Sequence, residues 1–172
     1  EQQGKYQNGL PQGTWIWFHE NGTKHREELY RKGKEDGASV EYDEEGNIIV
    51  QGEYIDGSKD GKWFYKVGDH QEVGKYTDGL KDGDWVYTYD NGKKNFVGAF
   101  VNGELNGKQK WYHANGQLLL EGRYTMGLEQ GDFNWYDEDG VLLTTVRFKD
   151  GAEVKINGER IPAPYHFEEV TP

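Results

Sequence analysis

The chain has 172 residues, and 20 Lys+Arg against 31 Asp+Glu leave a formal charge of −11, which argues against nucleic acid and anionic membranes as partners. Apolar residues make up only 34%, too few for a thick core in one domain or one short array of repeats, yet 6 Trp, 12 Tyr and 7 Phe argue against disorder. No Cys is present and no apolar run approaches ~18 residues, which excludes thiolate catalysis, disulfides, Cys-based zinc sites and an apolar membrane span.

In chain order the elements repeat. Each copy opens with a strand that ends on an aromatic, giving the column Tyr6, Tyr30, Tyr54, Tyr76, Phe100, Tyr124 and Phe148. Two residues earlier stand Gly4, Glu28, Gly52, Gly74, Gly98, Gly122 and Val146. Residues two apart in a strand share a face, so the usual Gly leaves room for a neighbouring ring to lie over the backbone. A Gly-x-x-x-Gly connection follows, as in Gly79 to Gly83. The second strand comes next, as in Thr14-Trp15-Ile16-Trp17-Phe18. Asn21-Gly22, Asn91-Gly92 and Asn115-Gly116 are then expected to supply the φ > 0 residues of tight hairpin turns. The three glycine series that begin at Gly9, Gly13 and Gly22 run at a spacing of 24 and contract once, to 22, in the same copy, between Gly61 and Gly68.

No window carries a 3.6-residue period, so the chain reads as all-β. Second-strand pairs such as Trp15/Trp17, Trp63/Tyr65, Trp85/Tyr87 and Phe133/Trp135 occupy one face. The opposite second-strand face is mixed, with Ile16, Phe64 and Val86 giving way to Lys110 and Asn134. A single copy orders too many residues for the rings it buries, so copies must stack. About 13 strands at ~4.8 Å predict a ribbon roughly 60 Å long.

The second copy is irregular, with Glu28 in the glycine slot and Ser39 and Glu41 where other copies have aromatics. The seventh is expected to stop after Phe148 and Gly151, because Lys155 holds the place of the next Gly. The reading divides the chain into an array over 1–160 and a tail over 161–172 that either caps the end or frays. The chain opens inside a first strand with no Met, which points to loss of an upstream segment and, weakly, to an extracytoplasmic setting.

The order of Tyr76, Gly79, Gly83, Trp85, Tyr87, Asn91 and Gly92, repeated in register over roughly residues 4 to 151, resembles the MORN repeat in its bacterial variant form. The resemblance implies an elongated single-layer antiparallel sheet of about six to seven β-hairpin repeats, twisted or curved into a groove. It also implies a non-enzymatic scaffold that contacts proteins or membranes, and some relatives carry an antitoxin label. The order is similar as well to choline- and glucan-binding cell-wall repeats, although those open with Gly-Trp and run nearer 20 residues.

The aromatics divide into two sets. The candidate interaction surface is Trp15, Trp17, Trp63, Tyr65, Trp85, Tyr87, Trp111 and Trp135, whose rings offer stacking or cation–π contacts. The structural column is the seven aromatics named above. The competing reading makes every one of these rings mortar between hairpins. The five His share no metal-ligand spacing, and carboxylates such as Asp56/Asp60, Asp78/Asp82 and Asp137/Asp139 fall in loops, so no catalytic residue, metal or cofactor is expected. A protein partner is expected, with self-association through one-sided faces as one form of it. A carbohydrate or choline ligand at a cell surface is the alternative, and an antitoxin-like grip on one protein the third reading.

Overall fold

The computed structural model describes residues 1–160, so the expected tail over 161–172 lies outside the described residues. Glycine and the turn formers recur too often for a helix, and none occurs among the described residues. The strands are β1 (Gln2–Gln7), β2 (Leu10–Phe18), β3 (Lys24–Arg31), β4 (Lys34–Tyr42), β5 (Ile48–Ile55), β6 (Ser58–Val67), β7 (His70–Thr77) and β8 (Leu80–Tyr89). They continue as β9 (Lys94–Val101), β10 (Glu104–Leu105), β11 (Gly107–Tyr112), β12 (Leu118–Thr125), β13 (Leu128–Tyr136), β14 (Leu142–Lys149), β15 (Ala152–Ile156) and β16 (Glu159–Arg160). All 16 form one open antiparallel sheet in chain order, with β10 and β11 both paired to β9 as one second strand interrupted at Asn106.

The expected all-β row of hairpins is what the chain builds. The expected end is not: β15 and β16 extend the sheet past Gly151 through an Asn157-Gly158 turn. The second glycine of the repeat, absent at Lys155, is therefore not needed to start a strand, because Asp150-Gly151 already turns the chain.

The turns differ from expectation in a second way. The tight two-residue hairpin turns lie at the first glycine series, where Asn8-Gly9, Asp56-Gly57, Asp78-Gly79 and their equivalents hold both residues at positive φ. At Asn21-Gly22 only the glycine does so (φ 84). There the loop is three residues long: the N–H of His19 donates to the Thr23 carbonyl at 2.8 Å, and a bulge between Trp17 and Phe18 takes up the extra residue. The asparagine serves differently. Its Oδ1 accepts from the Thr23 N–H at 2.9 Å, while its Nδ2 donates to the Glu44 carbonyl in the next copy's turn at 3.2 Å. Asn91 and Asn115 repeat both bonds. The short copy dispenses with this loop, and β6 pairs with β7 without a register shift.

Copies are also stitched along the opposite edge. The turn glycine N–H of each copy donates to a carbonyl of the copy before it, from Gly33 to Pro11 at 3.0 Å through Gly151 to Glu129 at 3.1 Å. On the asparagine edge His19 and His113 reach forward to the following copy, each placing Nε2 2.9 Å from the carbonyl of Tyr42 or Tyr136, so this nitrogen carries the proton.

The core is a thin layer on one face. Between Gln3 and Lys5 the partner strand inserts Gly13-Thr14-Trp15 opposite Gly4 alone, and the indole lies flat over that glycine. The same pairing joins Gly52 to Trp63, Gly74 to Trp85 and Gly122 to Phe133. Each buried ring meets a column ring edge-on from both sides: Trp85, for example, lies 5.4 Å from Tyr76 and 6.0 Å from Phe100. A methyl group on Gly74 would overlap the Trp85 ring itself. Gly74→Ala is therefore expected to lower unfolding free energy by about 2–3 kcal/mol through overpacking, read from urea titration of Trp fluorescence.

Candidate functional site

The ring face sorts into two rows along the array. In the row nearer the column, Trp15, Trp63, Trp85 and Phe133 are buried, with Trp85 at 0% exposure. Three members of the expected interaction surface are thus inaccessible, because each fills the hollow over a glycine. Sequence alternation put both rings of a pair on one face but carried no sign of this difference in depth.

The second row stays half-exposed except at Phe96, which is 2% exposed. Its residues are cross-strand partners in unbroken succession: Trp17, Arg26, Glu41, Val50, Tyr65, Glu72, Tyr87, Phe96, Trp111, Leu120, Trp135 and Thr144. The row has two characters. From Trp17 to Glu72 charged groups interrupt it. From Tyr87 to Trp135 it holds five apolar side chains on neighbouring strands and no charge.

The protein's own cations cover the middle of the ring face. Lys59 Nζ lies 4.5 Å from the Trp63 ring centroid and 2.8 Å from the Tyr65 hydroxyl. Lys81 repeats this at 3.9 Å over Trp85 and 2.9 Å from the Tyr87 hydroxyl. Burial makes Lys59 less basic than an ordinary lysine, although Glu41 pulls the other way. Arg26 lies 4.2 Å over Trp17. The stretch from Trp111 to Trp135 has no such cover among the described residues.

Two copies lack an aromatic at the Trp63 and Trp85 position of the second strand, and each compensates; in the fifth copy the buried Phe96 ring also lies against Gly98. Glu28 is buried in the glycine slot and faces Ser39, where it accepts from the Tyr30 hydroxyl at 3.0 Å and lies 3.6 Å from Arg26. In the fifth copy Gln109 is fully buried beside Gly98. Its Oε1 accepts from the Ala99 N–H at 3.1 Å, and its Nε2 donates to the Ala99 and Asn106 carbonyls, both at 3.0 Å. It supplies the backbone bonds that the break between β10 and β11 removes. Sequence reading missed Gln109 altogether; its position in the Trp63 and Trp85 register was the available signal.

Carboxylates at the expected loop positions are spent on structure. Asp56 and Asp78 are turn residues at positive φ, and Asp137 Oδ1 accepts two backbone N–H groups of its own turn. No group of three or more His, Cys, Asp or Glu suited to a metal ion occurs among the described residues.

The repeat geometry has a counterpart among known families. The profile described as MORN repeat variant matches residues 11–32, 35–56, 105–125 and 129–150, together half of the chain. The chain belongs to the MORN repeat family. The unmatched central MORN copies, between 57 and 104, include the 22-residue copy and keep the same hairpins. No curated protein matches the sequence. Among solved structures, a point mutant of Staphylococcus aureus TarM in complex with Fondaparinux, alpha-GlcNAc-glycerol and UDP aligns at 12% identity and a TM-score of 0.30, over 70% of this chain and 20% of that one. A second TarM crystal structure gives 12% and 0.28 over 71% and 20%. The chain spans about a fifth of the length of these proteins, and at such scores the likeness carries no argument.

The slot and the buried phenols each yield an expected outcome. In the irregular MORN copy, Ser39→Trp alone should destabilise because Glu28 fills the slot, whereas Glu28→Gly with Ser39→Trp should recover the loss and add about 1–3 kcal/mol in denaturant unfolding. Burial, reinforced by Glu129, pushes the Tyr124 hydroxyl up to about 12, and burial holds Tyr65 and Tyr87 well above an ordinary tyrosine. The fold thus favours neutral phenol: this stabilisation is full below the ordinary value near 10 and lost as pH rises through about 12. Absorbance at 295 nm with circular dichroism should show delayed ionisation that coincides with unfolding.

Proposed function

We propose that the protein is a non-catalytic scaffold that holds a protein partner against its ring face, with Trp111, Leu120 and Trp135 as the docking strip. The MORN repeats support a binding or scaffold role in general. The observation that carries the finer reading is the charge-free run of five apolar side chains on neighbouring strands, four of them half-exposed. A patch of this kind is an interaction surface. Glu129 beside Tyr124, and the net charge of −11, fit a partner that brings Lys or Arg alongside its apolar side chains. Antitoxin-like capture of one protein is a special case of this reading.

The carbohydrate or choline alternative has less support, since Lys59 and Lys81 already occupy the ring faces in the two central copies. Photo-crosslinking from position 111 is expected to trap a discrete protein, and Trp135→Ala to reduce that product at least ~10-fold with the fold intact. Trp fluorescence should stay flat on titration with choline and with oligosaccharides. A saturable response to either, lost in Trp135→Ala, together with no crosslinked protein, would overturn the proposal.

A further inference from the structure

The reverse face of the sheet carries a pattern that the ring face does not use. Its central row runs through Ile16, Glu27, Val40, Gln51, Phe64, Val73, Val86, Val97, Lys110, Glu121 and Asn134, each the cross-strand partner of the next. Four consecutive members, Phe64, Val73, Val86 and Val97, are apolar. Val86 is 36% exposed although it sits mid-sheet. Two shallow depressions flank Val73, one of ≈ 540 Å³ towards Val40 and Phe64 and one of ≈ 410 Å³ towards Val86.

Further along the same face lie the cross-strand pairs Ala38–Glu53, Lys62–Lys75, Asp84–Ala99 and Lys108–Arg123. The bulges opposite Gly52 and Gly74 interrupt the ladder between them, so that Glu53 is in register with Asp60 and Lys75 with Asp82. Lys62 and Lys75 are direct cross-strand partners, a like-charge arrangement that lowers stability when left uncovered. Among the described residues none of Glu53, Lys62, Lys75 and Asp84 forms an ion pair.

We infer that this face pairs with the same face of a second copy, about a two-fold axis that lies parallel to the strands between β7 and β8. The centre of the apolar block fixes that axis. Rotation about it exchanges strands outward from the centre and keeps each row on itself. Val73 then meets Val86 of the partner subunit, and Phe64 meets Val97 of the partner subunit. Among the charged residues beside this row, Lys75 comes to Asp84 of the partner subunit, Lys62 to Ala99 of the partner subunit, and Glu53 to Lys108 of the partner subunit, a lysine that also pairs with Glu121 of its own chain at 2.9 Å. No like charges oppose one another in these pairs. Such an interface is isologous and closed, and two sheets packed face to face lie within about 30° of alignment, which favours the contacts nearest the axis.

The size is sufficient. Eight strands at ~4.8 Å and about five residues at ~3.4 Å give roughly 650 Å² per copy, or about 1,300 Å² in all, above the ~1,000 Å² that a specific interface needs. The ring faces point outward from such a pair, so this inference stands apart from the proposed partner strip.

Sedimentation velocity on the full chain at ~100 µM and physiological salt should report twice the chain mass. Asp84→Lys creates two Lys–Lys contacts across the axis and should weaken the dimer at least ~10-fold. Lys75→Asp added to Asp84→Lys exchanges the pair and should bring the affinity back to within ~3-fold of the unsubstituted protein. Val86→Lys, at an exposed position, should give monomers with an unchanged far-UV spectrum. A monomeric unsubstituted chain, or a dimer indifferent to Val86→Lys and Asp84→Lys, would overturn the inference. So would a doubly substituted chain that folds but stays monomeric.

Discussion

An indole lying flat on a bare glycine of the strand before it is the contact on which this array depends. It joins β1 to β2, β5 to β6 and β7 to β8, and a phenyl ring does the same between β12 and β13. The ring belongs to the second strand and the glycine to the first, so the contact closes a hairpin. The column ring on the far side belongs to the next copy, so the same indole also joins neighbours. One side chain therefore couples local folding to propagation, which is the property a quasi-one-dimensional fold needs. Hydrogen bonds at both margins reinforce it, from turn glycines on one side and from His and Asn side chains on the other.

The single layer sets what the two faces can do. Among the described residues nothing packs on the sheet, so the rings themselves protect its interior, chiefly the row over the glycines. The outer row, Phe96 excepted, and the reverse face remain in contact with water. On the ring face the protein covers part of the exposed row with Lys59, Lys81 and Arg26, leaving the stretch towards Trp135 open. On the reverse face the apolar block sits beside charges that form no ion pair among the described residues. The two surfaces point in opposite directions and differ in chemistry, so they suit different occupants.

Most of the architecture was legible because the repeat is written three times over, in glycines, in aromatics and in turn residues. The slot opposite each ring was readable from the glycine two before Tyr54 or Tyr76, since only a missing side chain explains its recurrence. Depth was not readable. Trp63 and Tyr65 have the same face, the same neighbours and similar apolarity, and only the three-against-one bulge at Gly61 raises one over bare backbone while leaving the other beside polar groups. The role of asparagine in the turns was misjudged for a related reason: Asn-Gly signals positive φ locally, whereas here its amide answers to a carbonyl 23 residues away. Gln109 escaped notice because its value lies in replacing a backbone segment, and composition carries no trace of that.

Among the described residues the sheet runs from β1 to β16, and every strand is bonded only to those beside it in sequence, once β10 and β11 are counted as the one interrupted strand that pairs with β9. Tension applied between the two ends would load the ladder at its margin, one hydrogen-bonded pair after another, in the manner of a zip, with no set of strands sheared together. The array should accordingly yield at low force and in steps, each hairpin releasing its length separately. Beneath that stepwise yield lies a mechanical softness that no closed β architecture of similar size would share.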